Sequence, residues 1–345
     1  MQTSSAPPDL PRDLPRELPH VLIVIPALNE ARHIKGVLDF AEGFAARADG
    51  LVVVADGGSA DGTREIVRRR AAESPRVRLL ENPARLQAAG VNLAAARFGA
   101  GAEWLLRLDA HSDYPADYGD VLLAEAQRTG ADSVVVSMHA EGQGFLQQAI
   151  AEAQNSRLGN GGSAHRLAGG GTWVDHGHHA LMRMEAFRKI GGYDESFSHN
   201  EDAELDHRLR AAGGRIWLTG RTRLTYFPRT RLGALMRQYY NFGRGRARNL
   251  IKHNARPAAR QALAAMLAPM AALAPLTPIS MVFALPSVLW LLACLAGGVA
   301  ISLQTKRPDG LLAGLIAGTM HMAWSAGFWR QWLSRHEPLP ARTAA

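Results

Sequence analysis

The stretch EWLLRLDAHSDYP, residues 103–115, is the most informative in the chain. The run from Trp104 to Leu108 reads as a buried strand. It stops on Asp109, one spacer separates that aspartate from His111, and Pro115 closes the segment. Two residues apart at a strand end, Asp109 and His111 can face one side and chelate a divalent cation. An aspartate capping a turn beside an incidental histidine also fits the spacing.

On either side of this stretch, short apolar runs alternate with helical periodicity over residues 21–230. VLIVI from 21, LVVVA from 51, RVRLL from 76 and DSVVVSM from 132 read as further strands. NEARHIKGVLDFAEGF, DGTREIVRRRAAES and ARLQAAGVNLAAARFG read as the helices between them. In the first of these, Ile34, Val37, Leu38, Ala41 and Phe44 share one face. The pattern predicts an α/β sheet with helices on its faces. In such sheets ligands gather beyond the carboxyl ends of the strands.

The residues at those ends are acids and glycines. PALNE, Pro26 to Glu30, follows the first strand, and DGGSADGT, Asp56 to Thr63, follows the second. Gly57, Gly58 and Gly62 make the latter a close turn in which Asp56 can accept hydrogen bonds from a base or ribose; a plain connector has the same composition. It lacks the GxGxxG spacing, which excludes a dinucleotide-dependent dehydrogenase. Further on, GGYDESFSHNEDAELDHRLRAAG puts Glu201, Asp202 and Glu204 at a helix start, where amide dipoles favour negative charge in any helix. VDHGHH offers Asp175, His176, His178 and His179 as a metal ligand, an acceptor-orienting group or packing. GNGGSAHR, Gly159 to Arg166, reads as a lid or acceptor loop, or as a connector.

Composition bounds the rest. The chain has 345 residues, 47% of them hydrophobic, enough for one large or two ordinary domains with a substantial core. Cys294 is the single cysteine, so no intrachain disulfide forms, in keeping with a cytosol-facing protein. The first twenty residues carry no apolar signal segment and read as a disordered leader. From residue 207 to 308 there is no Asp or Glu, while eleven Lys and Arg fall between Arg221 and Arg260. Such a block suits nucleic acid or anionic lipid. The apolar segment after it favours lipid: residues 262–303 hold no charged residue or histidine, and a second uncharged run starts at Leu311. A soluble helical hairpin would show a polar face. Pro269, Pro275, Pro278 and Pro286 leave two or three crossings open. The expected layout is a leader over 1–20, an α/β domain over 21–230, a basic juxtamembrane segment over 231–260, transmembrane helices over 261–330 and a tail over 331–345. By the positive-inside rule the α/β domain is expected on the cytoplasmic side.

Strand-PALNE, strand-DGGSADGT, strand-LDAH and GGYDESF…EDAELDHRLR, in this order over residues 20–250, resemble the inverting family 2 glycosyltransferases with the GT-A fold, a Rossmann-like nucleotide-sugar domain. VDHGHHALMR, GNGGSAHR and QYYNFGRGRARNL, together with the apolar tail, are most similar to bacterial exopolysaccharide glucosyltransferases of the succinoglycan type.

The resemblance implies Pro26, Glu30, Asp56 and Asp61 in a uridine pocket, Asp109 beside the sugar diphosphate and its metal, and Asp202 as catalytic base. It implies a UDP-sugar donor, a lipid-linked saccharide acceptor, the bacterial inner membrane and no nucleic acid. Two departures stand out. The family's Asp-x-Asp is Asp109-Ala110-His111 here, which adds His111 as a ligand and shifts preference from Mg²⁺ toward Mn²⁺. The QxxRW motif of processive members is reduced to Gln238, with Arg244 and Arg246 just beyond; these three, with Glu201, are expected at the acceptor or a phosphate. Competing expectations are transfer directly to a lipid or polyprenyl phosphate, and a non-catalytic nucleotide-sugar-binding membrane protein.

Overall fold

The computed structural model describes residues 20–162 and 171–334. The leader, residues 163–166 of the glycine-rich stretch and the tail beyond 334 lie outside them. Four parallel strands form one half of a sheet: β1 (Val21–Ala27), β2 (Leu51–Asp56), β3 (Val77–Glu81) and β4 (Trp104–Arg107), in the order β3-β2-β1-β4. Crossover helices α1 (Ile34–Arg47), α2 (Thr63–Glu73) and α3 (Gln87–Phe98) connect them.

Strand periodicity divides the core. Val21, Ile23 and Ile25 enter one apolar cluster with Leu38 and Phe44 of α1, while Leu22 and Val24 enter the other with Val91 and Ala94 of α3. Both faces are covered, which is why β1 is a continuous apolar run rather than an alternating one. Helix α4 (Tyr118–Thr129) packs beside α1, and a Cβ at Gly119 would run into the Phe44 ring.

The second half of the sheet adds strands that the sequence pattern did not announce. Besides β5 (Ser112–Asp113) and the expected β6 (Ser133–Ala140) there are β7 (Thr172–Val174), β8 (His178–Arg183) and β9 (Ile216–Tyr226). β8 runs antiparallel between β4 and β6, and β9 lies parallel to β6. β5 and β7 pair antiparallel with β9. Polar and charged residues in HHALMR and IWLTGRTRLTY hide these strands from a search for apolar runs. The register slips between Val134 and Val135 against β8, a bulge that bends the strands beside His178.

Helices α5 (Phe145–Asn155), α6 (Arg157–Asn160), α7 (Met184–Lys189), α8 (Glu201–Ala211), α9 (Leu232–Lys252) and α10 (Ala259–Ala272) come next. The last two are α11 (Leu285–Thr305) and α12 (Asp309–Leu333). Two stretches, Met281–Thr305 and Asp309–Leu333, are long and apolar enough to cross a membrane. Helix α10 is shorter and contains Pro269.

The two long helices differ. α11 exposes Leu289, Leu292 and Leu303, whereas α12 is packed against α5 and α9. Ile316, Ala317 and Met320 join Ala149, Ile150 and Leu235 of α5 and α9, and Phe328 joins Ala247 and Leu250. Glycines allow the approach: a Cβ at Gly243 would strike the Trp324 carbonyl, and one at Gly327 the Tyr240 carbonyl. Gly327→Leu should therefore force α12 off α9 at a cost of about 1–3 kcal/mol. In detergent the melting temperature should fall by a few degrees. An unchanged melting temperature would show that this contact does not hold the two helices together.

Candidate active site

Asp109, Asp202 and the groups between them converge where β4 meets α8. Arg107, the last residue of β4, has a side chain only 4% exposed. Its Nη1 donates to Asp202 Oδ1 at 2.5 Å and its Nη2 to Asp202 Oδ2 at 3.1 Å. Arg107 Nε lies 3.9 Å from Asp109 Oδ1. Tyr193 donates its hydroxyl proton to Asp202 Oδ1 at 3.0 Å. His178, from β8, places Nε2 3.2 Å from Asp109 Oδ2 and Nδ1 3.8 Å from Asp202 Oδ2.

The charges explain one another. Burial works against ionisation of Asp109, but the His178 ring and then the Arg107 guanidinium outweigh it and hold this carboxylate well below the usual range. Burial also works against the Arg107 charge, and Asp202 more than compensates. Glu201 shows the opposite balance: burial and the neighbouring Asp202 push its carboxyl up to about 7.

The loop after β4 is fixed by an aromatic cluster. The Asp109 backbone N–H donates to Tyr114 Oη at 2.6 Å, and the Tyr114 ring stacks on Phe40 with centroids 5.3 Å apart. His111 places its Nδ1 3.0 Å from Glu30 Oε1. Burial opposes protonation of His111, but Glu30 and Asp109 prevail and raise its pKa. When Nδ1 donates to Glu30, Nε2 carries the free lone pair, the usual arrangement of a carboxylate behind a metal-binding histidine. The donor set of Asp109 carboxylate and His111 imidazole therefore fits a divalent cation that displaces the proton. Among the described residues no group of three or more His, Cys, Asp or Glu could hold a metal ion, so a cation here would draw its remaining ligands from substrate or water.

The PALNE and DGGSADGT loops are laced together. Asn29 N–H donates to Ser59 Oγ at 2.8 Å, Ala60 N–H to Asn29 Oδ1 at 2.9 Å, and Ala31 N–H to Asp61 Oδ2 at 2.9 Å. Asp61 also accepts from Thr63, which holds its carboxyl below the usual range against burial. Asp56 is 2% exposed and accepts from Gly58 N–H, Ser59 N–H and Ser59 Oγ, so it shapes the turn around any ligand. Pro26 lies within β1, opposite Ala55.

Arg107 and Tyr193 are site residues that the sequence reading missed, and His178 is the member of VDHGHH that reaches the carboxylates. A basic residue inside the apolar run EWLLRL was the available signal, because a buried arginine requires a partner. His176 instead bonds Asp206 at 2.8 Å, and the side chain of His179 lies outside the described residues. Gln238 donates to Tyr226 Oη at 3.1 Å, and Tyr226 pairs with Ser112, so Gln238 backs the Asp109–His111 loop. Arg244 and Arg246 lie further along the same helix, α9.

Residues 22–191 match glycosyl transferase family 2. The chain is 54% identical over 312 residues, 90% of its own length and 94% of the relative's, to succinoglycan biosynthesis protein ExoA of Rhizobium meliloti (strain 1021). It resembles the solved structure of the mannosyltransferase PcManGT from Pyrobaculum calidifontis in complex with GDP-Man and Mn²⁺, with a TM-score of 0.56 and 21% identity, over 92% of this chain and 89% of that one. The chain is a GT-A-fold glycosyltransferase and belongs to glycosyl transferase family 2.

Proposed function

We propose that this enzyme inverts the anomeric centre as it moves a hexose, glucose in our reading, from a UDP-sugar to a lipid-linked saccharide in exopolysaccharide synthesis. One observation carries the reading: Asp109 and Asp202, 93 residues apart in sequence, meet the same guanidinium of Arg107. The name of the Rhizobium meliloti relative supports the exopolysaccharide setting. The two long apolar helices support attachment to a bacterial inner membrane, and the basic segment before them favours a cytoplasmic catalytic domain.

In this reading Pro26, Glu30, Asp56 and Asp61 shape the nucleoside pocket, and Asp109 faces the donor diphosphate. A divalent cation, Mn²⁺ or Mg²⁺, held by Asp109 and His111 would supply Lewis-acid stabilisation of the leaving diphosphate. Asp202 takes the proton of the acceptor hydroxyl as that oxygen bonds to the anomeric carbon. The bond from this carbon to the diphosphate oxygen breaks, and the diphosphate leaves with the electron pair. Arg107 and Tyr193 make three hydrogen bonds to Asp202 and so fix the direction in which its carboxylate faces.

Glu201 favours a second reading of the base, since a carboxyl pushed up to about 7 by burial and by Asp202 is tuned for proton transfer near neutrality. Asp202 is preferred because Arg107 and Tyr193 aim it. Asp202→Asn should bind UDP-sugar normally and lose transfer by about 10² to 10⁴-fold, with Glu201→Gln losing about tenfold or less. Single-turnover rates in the two variants check this, and the reverse order would hand the role to Glu201.

Asp109→Ala should abolish metal-dependent donor binding, measured by calorimetry with UDP. His111→Asp should bind UDP but move its preference from Mn²⁺ toward Mg²⁺; an unchanged preference would remove His111 from the ligand set. Arg107→Met should leave two carboxylates without their shared cation. Unfolding in urea should then show a loss of about 3 kcal/mol or more, alongside lost transfer. A variant as stable as the wild type would mean that the pair is not held by this charge.

A further inference from the structure

Helix α9 carries cations in two different situations. Arg248 donates to Ser196 Oγ at 2.8 Å and its guanidinium covers the Phe197 ring, and Lys252 pairs with Asp194 at 2.6 Å and contacts Glu204. These two bind α9 to the loop before α8 and to α8 itself. Arg246 is different. It is partly buried and makes no hydrogen bond or ion pair among the described residues. Burial and then the charge of Arg260 push its pKa down to about 10, and the Asp206 charge offsets them only in part. Asp206 is already engaged, accepting from Gly177 N–H at 3.2 Å beside the His176 ring at 2.8 Å. No Asp or Glu lies between residues 207 and 308 to supply another counter-charge. Arg244, two positions away, lies on the other side of the helix, beside Arg248.

The place of Arg246 matters as much as its charge. Gly245 presses against the chain just before α8: a Cβ there would meet His199 O at 2.6 Å and Asn200 Nδ2 at 2.7 Å. Asn200 Nδ2 donates to Phe242 O at 2.7 Å, and the next two residues are Glu201 and Asp202. Asp206 lies one turn beyond Asp202 on α8, so Arg246 is on the flank of α8 that carries the catalytic carboxylate. Arg260, at the start of α10, reaches Gly161 O at 3.4 Å. Behind it α10 is seated on α12, with Ala268 N–H donating to Ser325 Oγ at 2.9 Å, and exposes Leu263 and Met266. Two arginines thus stand between the catalytic helix and an apolar helix that leads to the long hydrophobic pair.

We propose that Arg246 and Arg260 form a diphosphate-binding site on the acceptor side of Asp202, separate from the donor site at Asp109, which holds the head group of a lipid-linked acceptor. This rests on the transferase reading above. Arginines bind phosphate oxygens by paired, charge-assisted hydrogen bonds, and an anion there completes the counter-charge that Asp206 supplies only in part. The apolar surface of α10 suits the hydrocarbon of the same molecule and has no use for a soluble nucleotide.

The full chain in detergent, titrated with farnesyl diphosphate in EDTA and separately with UDP in Mn²⁺, tests the site. Farnesyl diphosphate should bind without metal, and Arg246→Gln and Arg260→Gln should each weaken it by about tenfold or more while changing UDP affinity less than about twofold. Arg246→Lys should recover part of the binding, which separates lost charge from lost fold. Inorganic diphosphate should compete at least about tenfold more weakly than the farnesyl compound; equal competition would overturn the lipid assignment. Unchanged farnesyl diphosphate binding in both Gln variants, or equal loss of UDP, would overturn the site. Metal-dependent UDP binding with no farnesyl diphosphate binding would leave the transferase reading standing and remove this one, whereas binding of neither would remove both.

Discussion

A buried guanidinium must be neutralised, and the centre of this protein is built around that requirement. Arg107 sits at the end of β4 with almost none of its side chain in water. Its counter-charges are Asp109, two residues on, and Asp202, from a helix that the chain reaches only after β8 and the Tyr193 loop are in place. An unpaired buried charge costs several kcal/mol, so the second half of the domain has to close on the first for either half to be comfortable. The interaction that joins the halves is also the one that sets the Asp109 and Asp202 carboxylates in a single frame.

Legibility in the sequence tracks burial. β1 and β2 are covered on both faces, so VLIVI and LVVVA announce themselves. α1 shows its periodicity because one face meets the core and the other meets water. β8 and β9 are equally part of the sheet but carry histidines, arginines and threonines between their apolar residues, and no apolar run betrays them. At the site, Asp109 and Asp202 stood out as acids at element ends. Arg107 did not, since its importance depends on a partner 95 residues away. The pairing of His111 with Glu30 was likewise beyond reach, because it joins the loops after two different strands.

The apolar helices are not a separate appendage. α12 is shared: one side packs on α5 and α9, and the other meets α11 through Gly310 and Gly314, where a Cβ would strike the backbone at Ser302 and Cys294. The same α9 rests on the start of α8 through Gly245 and Asn200. A contiguous path of packed helices therefore links the hydrophobic region to the residue proposed as base. In the proposed reaction, an acceptor held by a lipid tail and a donor held by the sheet meet at Asp202 without either leaving its own phase.

The proposed mechanism rests on Asp202, aimed by Arg107 from the side away from the donor diphosphate, driving a single displacement at the anomeric carbon. Proton NMR of the product formed from an α-linked UDP-hexose is its sharpest test. A single displacement gives a β linkage, with the large coupling between H1 and H2 that an equatorial bond on glucose produces. An α linkage would require a second displacement or attack from the donor's own face, and would contradict the role given to Asp202.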